Sequence, residues 1–150
     1  MKNQKKINEK FWQQNLTSAP VSAWRGFAFE YVCFNHIEQI MRSLGISGVI
    51  TETSAWSKKE DDTDGTQIDL LISRNDNVIN MCEIKYYSGE FKVTKDYYAK
   101  ILTRQAILTE NVSPKIAIHS TLITTFGLIQ NEHSGVFSNV IVLDDLFKEE

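Results

Sequence analysis

Two segments in the middle of the chain carry acidic and basic residues at spacings suited to metal binding. Asp69 lies in the apolar run Gln67 to Ser73, and Glu83 and Lys85 lie in a second run, Val78 to Tyr87. Both runs have the length and the branched apolar residues of β-strands, with turn-forming residues between them. Residues two apart in a strand share a face, so Glu83 and Lys85 are expected to point the same way.

The spacing of these two runs predicts a hairpin with a defined register. A three-residue turn, Asn75 to Asn77, would join the strands, and Asn77 tolerates the left-handed conformation that often ends such turns. Counting inward, the predicted neighbours on one face are Leu71 with Met81, Asp69 with Glu83, and Gln67 with Lys85, and on the other face Leu70 with Cys82 and Ile68 with Ile84. A one-residue slip would mix the polar and apolar sets, although a bulge would shift the register.

This register places two carboxylates opposite each other, where they repel. Both strands are expected to be buried on both faces, and an unpaired buried carboxylate either takes up a proton or attracts a cation. Lys85 can balance one charge, and a divalent ion would balance the rest. Carboxylate oxygens completed by water suit Mg²⁺ or Mn²⁺, so the hairpin predicts a metal site at Asp69 and Glu83.

Glu30 is the candidate for a third carboxylate because it lies beside the apolar stripe of a predicted helix. The helix is expected over Ala23 to Leu44, between the candidate N-cap Ser22 and the stop signal Gly45. Its apolar residues recur at helical spacing and are expected to pack on the sheet: Phe27, Tyr31, Phe34, Ile37, Met41 and Leu44. Packed in this way, the helix would bring Glu30 to the polar end of the hairpin.

Each of these residues also has an ordinary explanation when taken alone. A helix glutamate such as Glu30 is usually solvated, and Glu83 with Lys85 could form a surface ion pair. Asp69 could border a loop. The combination is more specific than its parts, and a metal-free, architectural site stays open as the alternative.

The remaining pattern predicts one α/β domain at residues 20–150, behind a polar arm at residues 1–19 anchored by Phe11 and Trp12. The other predicted elements are a strand at Gly48 to Trp56, an acidic loop at Ser57 to Thr66, a helix at Thr94 to Glu110, and strands at Lys115 to Thr125 and Val136 to Leu143. The order helix, three strands, helix, two strands is typical of a sheet flanked by helices.

Composition limits the function classes. The 150 residues fit a single domain, and the net charge of −3 argues against a protein that grips nucleic acid through a bulk positive field. Two cysteines, Cys33 and Cys82, lie in apolar segments and are expected to be reduced core thiols. The N-terminus lacks the apolar stretch of a signal peptide, and no segment reaches the length of a membrane span, so we expect a cytoplasmic protein.

The run GTQIDLL followed by MCEIKYY resembles the core motif of the PD-(D/E)XK, or restriction-endonuclease-like, superfamily. Asp69 matches the motif aspartate, Glu83-Ile84-Lys85 matches (D/E)-x-K, and Glu30 matches a glutamate often found on that family's first helix. Ile68 stands where the motif's name has proline. The resemblance implies an αβββαβ core with a central mixed sheet.

A longer match is similar to the C-terminal nuclease-like domain of bacterial and archaeal-type ATPases. It comprises WRGFAFEYVCFNHI, QIDLLI, CEIKYYSGEF and LITTFG, and covers about Phe11 to Phe147. The chain has no phosphate-binding G-x-x-x-x-G-K-[ST] loop, so no ATP binding through that motif is expected. The resemblance therefore implies a detached tail or a fragment of a longer ATPase.

Together these resemblances imply a metal-dependent nuclease, with DNA as the expected substrate. Mg²⁺ or Mn²⁺ would be held by Asp69, Glu83 and Glu30, while Lys85 orients the attacking water and offsets developing charge. Gln67 would position the water or the phosphate, or else make an ordinary cross-strand hydrogen bond. Basic residues of the second helix region are candidate phosphate contacts, or simply a solvated face: Lys92, Lys95, Lys100 and Arg104.

Two other functions stay open. A module with the same fold but no catalysis could bind a partner, either nucleic acid or an ATPase domain of the same or another chain. A small-molecule hydrolase using the same metal site is the weaker alternative. The sequence also leaves a homodimer open, and fold alone does not prove activity.

Overall fold

The computed structural model describes residues 19–58 and 66–148. Helices and strands follow one another as α1 (Ala19–Phe34), α2 (Ile37–Ser43), β1 (Thr51–Lys58), β2 (Thr66–Arg74), β3 (Val78–Lys85), α3 (Lys95–Glu110), β4 (Ala117–Thr124) and β5 (Asn139–Val142). Two short 3₁₀ turns, Ser134–Val136 and Leu143–Phe147, flank β5. The predicted arm, apart from Ala19, and most of the predicted acidic loop lie outside the described residues.

The five strands form one mixed sheet in the order β1-β2-β3-β4-β5. The pairs β1–β2 and β2–β3 are antiparallel, whereas β3–β4 and β4–β5 are parallel. Helix α3 provides the connection that a parallel β3–β4 pair requires, and it is capped by Thr94, whose hydroxyl accepts from the Tyr97 N–H. The predicted α/β class, mixed sheet and αβββαβ order are confirmed.

The sheet is covered on both faces. One face packs against α1 and α2 through an apolar cluster that includes Phe29, Cys33, Ile40, Leu70, Ile72, Cys82, Ile84 and Ile123. The other face packs against α3 through Ile68, Leu71, Ile79, Met81, Ile101, Leu108, Leu122 and Phe137. Burial on both sides explains the almost continuous apolar sequence of β3.

Both cysteines are buried free thiols, as expected. Within the described ranges, no helix has both the length and the apolar character needed to cross a membrane.

The predicted turn and register of the β2–β3 hairpin are confirmed near the turn. Asn77 has a φ of 64°, the left-handed conformation expected there. Leu71 pairs with Met81 and Leu70 pairs with Cys82. The alternation of polar and apolar residues therefore identified the register correctly over this part of the hairpin.

A bulge interrupts β2 at Asp69 and Leu70. Leu71 pairs with Ser54 and Ile68 pairs with Trp56, so two residues of β2 lie opposite the single residue Ala55. The extra residue reverses the alternation of side chains, and Ile68 joins Leu71 on the α3 face. The prediction that Ile68 shares a face with Leu70 is therefore wrong.

The predicted first helix is divided into two. The His36 N–H bonds to the Cys33 carbonyl, three residues back, while His36 Nδ1 donates to the Val32 carbonyl at 2.7 Å. The histidine side chain thus takes the carbonyl that its own backbone N–H would use in a continuous helix. Helix α1 ends at Phe34, and α2 begins at Ile37.

The apolar stripe predicted to face the sheet instead faces outward on α1. Phe27, Tyr31 and Phe34 are 69%, 70% and 46% exposed, whereas Phe29 and Cys33 are buried against the sheet. Two apolar sets lie on opposite sides of this helix, both at helical spacing. Periodicity alone cannot distinguish which set meets the core. The prediction was wrong for Phe27, Tyr31 and Phe34 on α1, whereas Ile37, Met41 and Leu44, further along the same predicted stripe, do pack against the core.

Two substitutions on α1 test this orientation. Phe29→Ala should lower the free energy of unfolding by about 3–5 kcal/mol, because it opens a cavity in the core. Phe27→Ala removes the same phenyl ring from the exposed side and should change stability by less than about 0.5 kcal/mol. Urea unfolding followed by circular dichroism measures both, and equal losses would contradict the assigned orientation.

Candidate functional site

The candidate site lies where the β2–β3 hairpin loses its regular pairing. The paired residues of β2 and β3 run from Ser73 with Ile79 to Leu70 with Cys82. Beyond them, the Ile84 N–H donates to Asp69 Oδ2, with 3.2 Å between nitrogen and oxygen. A strand's backbone N–H points along the sheet toward its neighbour. The Asp69 carboxylate therefore lies between the two strands, close to the plane of the sheet.

This position brings Asp69 close to acidic groups in both layers. Burial raises the pKa of Glu30, on the α1 side, and of Glu83, on the α3 side, and the Asp69 charge adds to both rises. The prediction that Asp69 and Glu83 share one face is therefore wrong, because the bulge interrupts the alternation at Asp69. The two acids are still neighbours, with Asp69 between the layers and Glu83 beneath α3.

Glu83 is a carboxylate enclosed by the protein. It continues the face of Ile79 and Met81 and is only 2% exposed. Its Oε1 accepts from Arg104 Nη1 in an ion pair and from the Tyr97 hydroxyl at 3.5 Å. Its Oε2 is buried and has no hydrogen-bond partner. The site therefore contains one buried, unsatisfied carboxylate oxygen, which is the kind of group that calls for an explanation.

Burial raises the pKa of Glu83 to about 7. The Arg104 charge opposes this rise, the Asp69 charge adds to it, and Lys85 and the Tyr97 hydroxyl oppose it more weakly. Loss of hydration thus outweighs the attraction of the neighbouring cations. Near neutral pH, this carboxyl can exist in either protonation state.

Lys85 is held over an aromatic ring. Its Nζ lies 5.3 Å from the centroid of Tyr97, a cation–π arrangement. The Tyr97 ring in turn contacts Phe91 and Phe137, at centroid distances of 5.3 and 6.3 Å. Arg104, rather than the predicted Lys85, forms the recorded ion pair with Glu83. The positive charge of Lys85 nevertheless opposes the rise in pKa that burial causes at both Glu30 and Glu83.

Glu30 approaches the site from α1. It is half-buried, and burial raises its pKa, as does the Asp69 charge, while Lys85 has the opposite effect. Its position beside the inward face of α1 makes this approach compatible with the exposure of Phe27 and Tyr31. Glu30 therefore belongs to the surroundings of Asp69 and Lys85.

The other predicted site residues do not gather there. Gln67 is exposed and pairs with Ser57 of β1. Lys95 is exposed at the start of α3, where it lines an open cavity with Lys92 and His133. Lys100 is exposed on α3, whereas Arg104, four residues later, is half-buried against Glu83. The predicted basic helix face is thus divided between solvent and the site.

Sequence reasoning missed the inward role of Arg104. Tyr97, Ile101 and Leu108 form one apolar face of α3, and the spacing 97, 101, 104, 108 places Arg104 on that face. A basic residue within an apolar helical stripe was the available signal. It indicates a cation that meets a buried anion rather than solvent.

The donor set suits a hard divalent cation, but it is not a closed cage. Carboxylate oxygens are the preferred ligands of Mg²⁺, and Glu83 Oε2 is buried without a partner. Across residues 19–58 and 66–148, no three His, Cys, Asp or Glu residues lie close enough together to hold a metal ion. A cation here would be held by Asp69 and Glu83 and would keep several waters, as Mg²⁺ commonly does.

The raised pKa of Glu83 predicts a pH-dependent stability. An unfolded glutamate has a pKa of about 4.3, so between that value and about 7 the folded state holds the proton more tightly. The free energy of unfolding should therefore fall as pH rises through this window. Between pH 5 and pH 8, the free energy of unfolding of wild type should fall by about 1–3 kcal/mol more than that of Glu83→Gln.

Urea unfolding at both pH values, in EDTA to keep cations away, measures this difference. Glu52→Gln, at an exposed position of β1, is the matched control: it keeps Glu83 and should lose as much stability between the two pH values as wild type does. A constant difference between wild type and Glu83→Gln across the window would mean that Glu83 is already ionised at pH 5.

Comparisons with known proteins give a likeness of fold. No family profile matches the chain, and no curated protein matches it significantly. Among solved structures, it is similar to the crystal structure of a protein of unknown function, AF1548, with a TM-score of 0.50 and 12% sequence identity. The match covers 77% of this chain and spans 64% of that one. At this identity, the likeness shows the fold alone.

Proposed function

We propose that the chain is a metal-dependent phosphodiester hydrolase that acts on nucleic acid, with DNA as the expected substrate. The observation that carries the proposal is the buried, partnerless Oε2 of Glu83 beside the fixed carboxylate of Asp69. Lys85 lies close enough to Glu83 and Glu30 for its charge to act on both carboxyls, as a hydrolytic site requires. The PD-(D/E)XK resemblance of the same residues supports this reading. A cytoplasmic location fits two buried free thiols.

Asp69 and Glu83 are the residues that would hold Mg²⁺ or Mn²⁺. Asp69 is oriented in advance because the Ile84 N–H binds one of its oxygens. Glu83 is stripped of water, which strengthens its attraction for a cation. The bound cation would supply charge relief on the phosphate and a lower pKa for water.

Lys85 and Glu30 would act on the attacking water and the phosphate. The ammonium of Lys85 is restrained over the Tyr97 ring and can donate hydrogen bonds to water or to a developing negative charge. Glu30, with its raised pKa, is more basic than a solvated glutamate and can accept a hydrogen bond from water. Gln67 lies exposed at the rim and would at most contact the phosphate from there.

Cleavage assays with Mg²⁺ or Mn²⁺ on plasmid, single-stranded and branched DNA test the proposal. Asp69→Asn keeps an acceptor for the Ile84 N–H but removes the charge, and Lys85→Gln removes the ammonium. Each should reduce the cleavage rate by about 100-fold or more, because each removes a charge that acts on the phosphate or the water.

Matched changes at exposed positions control for unspecific effects. Asp76→Asn lies in the turn at the opposite end of the hairpin, and Lys115→Gln precedes β4. Both should leave the rate unchanged. Wild-type protein that cuts no DNA form with either metal, or cleavage that survives both site variants, would contradict the proposed activity.

One observation favours a second candidate, a module with the same fold that binds a partner without catalysis. The Arg104–Glu83 ion pair already neutralises the carboxylate that a cation would use. In this case the partner would be nucleic acid or an ATPase domain. Calorimetry and the cleavage assay together separate the two functions, since a module of this kind should bind no Mn²⁺ in the first and release no product in the second.

A further inference from the structure

Arg104 and a divalent cation would require the same carboxylate. The guanidinium contacts Oε1 of Glu83, and the other oxygen of that carboxylate, Oε2, has no partner. A cation bound to Glu83 would lie close to the guanidinium, and two like charges within a few ångströms repel strongly in a poorly hydrated site. Full occupancy of Glu83 by both at once is therefore unfavourable.

The ion pair also explains how the fold tolerates Glu83 without a metal. A buried carboxylate with no compensating charge is strongly destabilising. Arg104 supplies that charge from the inward stripe of α3, beside Ile101 and Leu108. The nearby Lys85 is directed to the Tyr97 ring instead. Arg104 is thus the resident partner of Glu83.

Arg104 has the freedom to leave this position. Its side chain is 24% exposed and that of Glu83 only 2%, so Arg104 is the member of the pair that is open to solvent. Among the described residues, the guanidinium has its hydrogen-bond acceptor in Glu83. Glu83, by contrast, is fixed in β3 and enclosed. When a cation arrives, the arginine is the partner that can move.

We propose that Arg104 is a displaceable counter-ion that exchanges with the divalent cation at Glu83, stabilising the metal-free protein and weakening cation binding. This inference rests on the proposed metal-dependent function. It assigns Arg104 a positioning role through Glu83 rather than direct contact with the substrate. Arg104 would therefore raise the stability of the metal-free protein and lower its affinity for the cation, two effects that can be measured separately.

Calorimetric titration of Mn²⁺ into wild type and Arg104→Gln tests the exchange. Glutamine removes the competing charge, so Mn²⁺ should bind about tenfold more tightly to the variant. In EDTA the same variant should unfold at a lower temperature, because Glu83 has lost its counter-ion, and Mn²⁺ should restore more of its stability than it adds to wild type. A purely structural arginine would lower stability without raising the affinity.

Arg74→Gln is the matched control. Arg74 forms an ion pair with Asp76 in the turn and also bonds to Asn80, away from Glu83. Its loss should leave the affinity for Mn²⁺ unchanged. If Arg104→Gln is folded and binds Mn²⁺ no more tightly than wild type does, the exchange is refuted while the metal site stands. If neither protein binds Mn²⁺, both the metal-dependent function and the exchange are refuted.

A measurement on wild type avoids any folding defect of the variant. Mg²⁺ titrated into protein labelled with ¹⁵N-arginine should shift the Arg104 side-chain resonance and speed its exchange with water. The Arg74 resonance should stay unchanged. Bound Mg²⁺ with an unaltered Arg104 resonance would overturn the proposal.

Discussion

The charge of Glu83, buried beneath α3, is the constraint on which the arrangement of the site depends. A carboxylate that is 2% exposed needs a compensating cation, a proton or both. Arg104 and the Tyr97 hydroxyl reach its Oε1 from α3. Tyr97 is held between Phe91 and Phe137, and its ring carries Lys85. One buried acid thus accounts for a basic residue and a tyrosine on the inward face of an amphipathic helix.

Asp69 depends on a different feature, the extra residue in β2. Because the bulge takes Asp69 out of the normal alternation, its carboxylate can lie between the strands and accept the Ile84 N–H. From there its charge reaches Glu30 in one layer and Glu83 in the other. The acids of the candidate site therefore come from three structural layers: α1, the plane of the sheet, and the face covered by α3.

Local signals made the hairpin predictable. The Asn77 turn and the apolar alternation of Leu71 and Met81 specify the register without any knowledge of the remaining chain. The orientation of α1 was not predictable in this way, because Phe27 and Phe29 belong to two competing apolar stripes, and only the sheet decides between them. The bulge was equally hidden, since it is defined by pairing with β1. The Arg104–Glu83 pair joins residues 21 positions apart on different elements, although the helical spacing contained its signal.

The bulge in β2 also has a consequence for how this hairpin tolerates insertions and deletions. Removing either Asp69 or Leu70 would restore a regular ladder, and the first part of β2 would then turn over, sending Ile68 away from the α3 cluster. Removing one residue from the hairpin thus changes which face of the sheet each preceding side chain of β2 occupies, an effect larger than that of the shorter length.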